Sequence, residues 1–176
     1  MAYLFLVSPH QVTLSFGKSL PQDMLAKAER DLARLEAAEA GQNATAASDA
    51  MFDLAVSLTS LKDWLKEHLP ASAASLVEPY VAASLSLTSY RDIANAGKHR
   101  VIRKYVPQTN EVTASATTII DAALTAEHFT QNPPPGSAPW RLKIVRSDHS
   151  RHRALDLGQA AIREWRDFMS LHGMGA

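Results

Sequence analysis

The stretch Ser89-Tyr-Arg-Asp-Ile-Ala-Asn-Ala-Gly-Lys-His-Arg100 holds the residue types best suited to chemistry. Read as a helix, it sets Arg91, Asn95 and His99 at i, i+4 and i+8, and Asp92, Asn95 and His99 at i, i+3 and i+7. The polar groups then share one broad face. A guanidinium holds an anion, an amide orients it, and an imidazole moves protons near neutral pH. RNA cleavage through the 2′-hydroxyl needs a base, an acid on the leaving oxygen and a cation on the pentavalent phosphate. One His and one Arg meet that need if a second copy of the helix faces the first across a dimer. The same residues also make a helix end without chemistry, with Arg91 paired to an acidic neighbour and Asn95 and His99 capping backbone near Gly97.

Charge is distributed unevenly along a chain whose net charge is zero. Residues 1–70 carry six basic and nine acidic side chains, a balance of about −3. Residues 98–153 carry nine basic and four acidic ones, about +5. The nine fall in two clusters: Lys98, Arg100, Arg103 and Lys104, then Arg141, Lys143, Arg146, Arg151 and Arg153. Brought together they attract phosphate, with Lys98, Arg100, Arg103, Lys104, Arg151 and Arg153 as the nucleic-acid-binding set; kept apart they are two solvated edges. His149 and His152 stand three apart without a carboxylate or cysteine companion at ligand spacing, so no metal site is expected. His10, His68 and His128 read as surface or capping residues. Trp64, Trp140 and Trp165 lie on apolar stripes and are core residues before they are stacking platforms.

These groups need a scaffold, and hydrophobic period supplies it. Residues 2–7 and 11–16 read as short strands. Residues 21–40 read as a helix opened by Pro21, with Leu25, Ala28, Leu32 and Leu35 inward and Lys27, Glu29, Arg30, Asp31, Arg34 and Glu36 outward. Gly41-Gln42-Asn43 closes it. Residues 46–69 form a second helix carrying Met51, Leu54, Ala55, Leu58, Leu61, Leu65 and Leu69, antiparallel to the first and central to a bundle. A short helix is expected before Pro79, which then opens a further helix that runs to Gly97, with Leu76, Val77, Tyr80, Val81 and Leu85 in the core and Ala82, Ala83, Ser84 and Ser86 at a close helix approach. Residues 101–106 and 111–120 are β-prone, and 132–137 form a stiff proline-rich loop. From 140 to 146 the chain alternates, Leu142 and Ile144 against Lys143 and Val145, toward a polar hairpin tip at 147–152. An amphipathic helix at 156–171 buries Leu157, Ala161, Ile162, Trp165, Phe168 and Met169.

The expected architecture is α+β and mainly α: a four- or five-helix bundle with a small antiparallel β-hairpin sheet, in a single domain over 1–176. Within it a β segment at 2–16 precedes a helical bundle at 21–100, a β-hairpin region at 111–155 and the last helix. The 176 residues suffice for a core, and 46% apolar with 20% charged content is globular. The chain has no cysteine, which removes disulfides, thiolate metal sites and a cysteine nucleophile, and suits a cytoplasmic setting. Residues 1–7 are too short for a signal peptide or a membrane span. No glycine-rich phosphate loop, nucleophile elbow, acidic metal cluster or paired-His helix appears, so no cofactor is expected.

Arg91, Asp92 and His99 near the end of a long bundle helix resemble the signature of the HEPN superfamily, an Arg followed by a polar residue and, four to six residues in all beyond the Arg, a His. Here seven residues separate Arg91 from His99. The resemblance implies a dimeric, metal-independent ribonuclease of toxin or anti-phage systems, or a relative that only binds. Arg91 would then stabilise phosphate charge, Asn95 orient it and His99 transfer protons; RNA, a second copy and a cognate protein would be the partners. Lys62-Asp63-Trp64-Leu65 followed by Arg91-Asp-Ile-Ala-Asn-Ala-Gly-Lys-His99 also resembles a family of uncharacterised bacterial and phage helical proteins, in which a β-hairpin and a Trp-containing last helix follow. A non-catalytic protein-interaction or structural module is the alternative reading.

Overall fold

A computed structural model of the chain describes residues 17–98, 118–120 and 141–174. The strands expected at 2–7, 11–16 and 101–106, the loop at 132–137 and Trp140 lie outside the described residues, as does most of the strand expected at 111–120. Helix α1, Pro21–Ala40, starts as its sequence requires. Pro21 occupies the first turn, and the Asp23 carboxylate accepts the Ser19 and Leu20 amides at 2.8 and 3.0 Å. These two backbone hydrogen bonds hold the Asp23 carboxyl below its ordinary range. The turn that follows uses Gln42, not Gly41, as its left-handed residue, at φ 53°. Gln42 Nε2 donates to the Glu39 carbonyl at 2.6 Å.

Asn43 caps helix α2, Ala44–His68, by accepting the Ala46 amide at 3.0 Å. The helix thus begins two residues before the position expected from periodicity. Lys27 meets Ser57 while Arg34 meets Asp53, so α1 and α2 run antiparallel. Helix α2 also packs on the later helices and is the centre of the bundle. Its buried face (Met51, Leu54, Ala55, Leu58, Leu61, Leu65) is the predicted stripe.

Between α2 and the next long helix the expected short helix is present, but the break falls elsewhere than at Pro79. A single turn α3, Ala71–Ala74, precedes α4, Val77–Ala83, and the break falls at Ser84. Pro79 sits inside the first turn of α4, where its missing N–H leaves no hydrogen bond unmade. Ser84 is extended at φ −92°, ψ 130° and its Oγ accepts the Leu87 amide at 2.9 Å, capping α5, Leu85–Lys98. Leu76, just before α4, and Leu85, just after the break, are 50% and 41% exposed, and Ala82 and Ala83 are exposed as well, against the expectation that Leu76 and Leu85 lie in the core. Val77 and Val81 are buried as expected. Helix α5 continues through Gly97, which therefore lies in the last turn instead of ending it.

Strands β1, Thr118–Ile120, β2, Leu142–Val145, and β3, Arg151–Arg153, form one antiparallel sheet in the order β1-β2-β3. Ile119 pairs with Lys143 and Ile144 with His152. Leu142 and Ile144 are buried and Lys143 and Val145 half-buried, the predicted alternation. Arg151 and His152, expected in the tip, belong with Arg153 to the return strand, and α6, Ala154–Leu171, follows at once. Five helices of seven or more residues and this small sheet make a mainly α, α+β fold among the described residues. No described helix is long and apolar enough to cross a membrane.

Helix α6 closes the bundle against α1, α2 and α5. Trp165 donates its indole N–H to the Leu58 carbonyl at 3.2 Å and meets Phe168 edge-on, with centroids 6.0 Å apart. Gly158 permits the closest approach: a Cβ there would stand 2.8 Å from Leu32 Cδ1 and 3.0 Å from both Leu54 Cδ2 and the Tyr90 hydroxyl. Overpacking of this kind costs roughly 1–3 kcal/mol, and the helix propensity gained by alanine returns up to about 1 kcal/mol. Gly158→Ala is therefore expected to lose about 1 kcal/mol in urea unfolding. Wild-type stability or better would show that the facing side-chain ends yield freely.

Candidate functional site

Helix α5 is where polar residues enter the core. Ser86, Thr88, Ser89 and Asp92 are all buried beside Leu87, Tyr90, Ile93 and Ala94. The hydroxyls of Thr88 and Ser89 donate back to the carbonyls of Ser84 and Leu85 at 2.5 and 2.7 Å. Their lone pairs then accept from elsewhere: Arg146 Nη1 reaches Ser89 Oγ at 2.6 Å, the Leu85 carbonyl at 3.0 Å and Thr88 Oγ1 at 3.3 Å. A guanidinium at the hairpin turn thus braces the start of α5. Buried polar groups carry little cost when paired in this way and a large one when not.

The sheet is fastened to α1 by a second buried charge. Glu39 is 1% exposed; its carboxylate accepts the Leu142 amide at 3.0 Å and Arg153 Nη2 and Nε at 2.7 and 3.2 Å, with Arg141 at 3.7 Å. Asp31 is likewise buried, 2.6 Å from both Lys27 Nζ and Ser57 Oγ, although the helical stripe placed it outward. Glu39 is four residues after Leu35 and Asp31 three after Ala28, so spacing puts both acids beside apolar positions, but it does not show the partners that allow their burial. Tyr90, wholly buried, donates to the Ala154 carbonyl at 2.7 Å. Burial first and the Glu39 charge second push its phenol far up, so it stays protonated.

The predicted site residues separate into three groups. Arg91 and Asn95 stand one turn apart on α5, both half-buried. Arg91 donates Nη2 and Nε to the buried Asp92 carboxylate at 3.1 and 3.3 Å, the pairing with an acidic neighbour that the sequence offered as one possibility. It also lines a narrow cleft with Leu58, Thr59, Lys62, Val81, Leu87 and Trp165, across from α2. His99, Arg100, Arg103 and Lys104 lie outside the described residues, and so does the side chain of Lys98. Of the second basic cluster, Arg146 and Arg153 are held as above, whereas Arg151 is exposed with no ion pair among the described residues. The structure therefore splits that cluster between internal bracing and surface.

At the hairpin tip His149 takes φ 63°. The Ser150 hydroxyl donates to Asp148 at 2.6 Å, and His152 Nε2 lies 3.0 Å from the same hydroxyl oxygen. The hydrogen bonds from Ser150 hold the Asp148 carboxyl below its usual range. No three His, Asp or Glu side chains among the described residues gather as a metal site needs. Lys62 pairs with Glu78 at 3.0 Å, and Lys66 pairs with the same carboxylate. Burial raises the Glu78 carboxyl, but the hydrogen bonds from Lys66 and Lys62 outweigh it and the group ends below its ordinary value of 4.5.

The contrast between two arginines of one cluster is open to test. Arg146→Ala removes the cation that three α5 acceptors share and should cost about 2–4 kcal/mol in urea unfolding. Arg151→Ala should stay within about 0.5 kcal/mol of wild type. Equal losses would contradict the division. No family model matches the chain, and no curated protein or solved structure is significantly similar to it.

Proposed function

We propose that this chain is a HEPN-like RNA-binding protein that cleaves RNA without a metal ion, in a toxin, defence or phage setting. The observation that supports the reading is the position of Arg91. A buried carboxylate holds its guanidinium, Lys62 lines the same cleft, and Asn95 follows one turn later on the helix that leads to His99. A cation fixed by packing is better placed to stabilise developing phosphate charge than one on a mobile stem. In the homodimer this reading entails, His99 of one copy takes the proton of the 2′-hydroxyl as O2′ attacks phosphorus. His99 of the other copy gives a proton to the departing 5′ oxygen. A 2′,3′-cyclic phosphate and a 5′-hydroxyl result, and the two imidazoles end in exchanged protonation states. Arg151, with Lys98, Arg100, Arg103 and Lys104, would hold the backbone in a cytoplasmic protein. Arg153 would serve in the same role beside its ion pair with Glu39.

One observation favours the second reading, a non-catalytic interaction or structural module. Most of the polar face of α5 is already used: Ser89 and Thr88 by Arg146, and Asp92 by Arg91. Single-stranded RNA cleavage in chelator, with wild type, Arg91→Ala and His99→Ala, separates the two. The proposal predicts losses of roughly 100-fold or more for each variant, with urea midpoints for His99→Ala unchanged. Cleavage by none of the three, or by all equally, favours the module.

A further inference from the structure

Thr59 Oγ1 exposes less than 1 Å² and has no hydrogen-bond partner among the described residues. A buried hydroxyl left unpaired is uncommon and calls for a ligand or a cost. Thr59 stands on α2 one turn before Lys62, and both line the cleft that Arg91 lines from α5. The free space there is about 10 Å³, the room of one water-sized oxygen, between apolar walls that include Leu58, Leu87 and Trp165. Lys62 and Lys66 share the single carboxylate of Glu78, while Arg91 faces Asp92, so these five described side chains sum to one positive charge.

We infer that this cleft is an oxyanion subsite, taking one non-bridging oxygen of an RNA phosphodiester between the Thr59 hydroxyl, the Lys62 ammonium and the Arg91 guanidinium. The inference rests on the reading that Arg91 meets RNA phosphate, and it adds Thr59 and Lys62 as binding residues. The space is too small for a whole phosphate, so the phosphorus stays at the mouth and a single oxygen enters. A guanidinium has five N–H groups, and the ion pair with Asp92 is compatible with this contact. The Thr59 hydroxyl donates to the anion, which gives the buried oxygen the partner it otherwise lacks.

Thr59→Val separates binding from folding, because it removes an unpaired buried hydroxyl while keeping the shape. Without ligand it should melt at or above the wild-type temperature. Inorganic phosphate should raise the melting temperature of wild type and not that of Thr59→Val. In anisotropy titrations with a short single-stranded RNA, Lys62→Met should weaken binding roughly tenfold. Its log Kd should also depend on log salt with a slope lower by about 0.7. Thr59→Val should weaken binding severalfold with the slope unchanged. If Arg91→Ala loses RNA binding while Thr59→Val and Lys62→Met bind as wild type, the subsite is wrong and the Arg91 reading stands. If Arg91→Ala also binds as wild type, both fall.

Discussion

The carboxylate of Glu39, shut away from water at the last turn of α1, is the group on which the arrangement of the other elements depends. It takes the first amide of β2 and the guanidinium of Arg153, the last residue of β3. Both strands of the hairpin are thereby fixed to the bundle at one point. Removing one partner of a buried pair costs about 3–5 kcal/mol, because the other charge stays behind unsolvated. Helix α6 begins at the very next residue, Ala154, whose carbonyl receives the Tyr90 hydroxyl from α5. A single acid thus sets where the sheet sits, where α6 starts and how α5 lies against it.

From that anchor the hairpin reaches back to α5 through Arg146. Its guanidinium bridges three acceptors in the first turns of the helix, which fixes the rotation of α5 about its own axis. Rotation decides which polar residues point inward. Ser89 and Asp92 do, while Arg91 and Asn95 are left at the margin, facing the α2 cleft and the surface. The polar run that reads as one functional face is therefore two faces with different work. One holds the sheet. The other brings Arg91 and Asn95 to the margin of the bundle, half-buried beside α2.

Much of this fold can be read from the residues. The stripes of α1, α2 and α6 are long and regular, and burial follows them. The alternation of β2 is just as plain, since Leu142 and Ile144 have no polar role to confuse it. Three features resist such reading, each for a physical reason. Glu39 is buried because Leu142 and Arg153, far along the chain, satisfy it, and Asp31 because Ser57 of α2 joins its own-helix partner Lys27; sequence spacing does not show the distant partners. The break at Ser84 comes from a side-chain cap competing with a proline that the first turn of α4 tolerates. Leu85 is exposed at the first position after that break, and Leu76 at the N-cap of α4, where no apolar period fixes their facing. The site was legible in part: Arg91 and Asn95 stand where their spacing places them, but the use of Asp92 and Arg146 inside the fold depends on tertiary contacts.

The central claim is that α5 presents Arg91 to phosphate while its buried hydroxyls and Arg146 only hold the sheet. The most direct measurement is an NMR titration of isotope-labelled protein with single-stranded RNA, following backbone amides together with the arginine Nε–H signals. The account predicts that the Arg91 Nε–H and the amides around Thr59, Lys62 and Asn95 shift in step with binding, while Arg146 Nε–H and the Ser89 amide stay in place. Shifts confined to the hairpin around Arg151, or a response at Arg146 with none at Arg91, would contradict it.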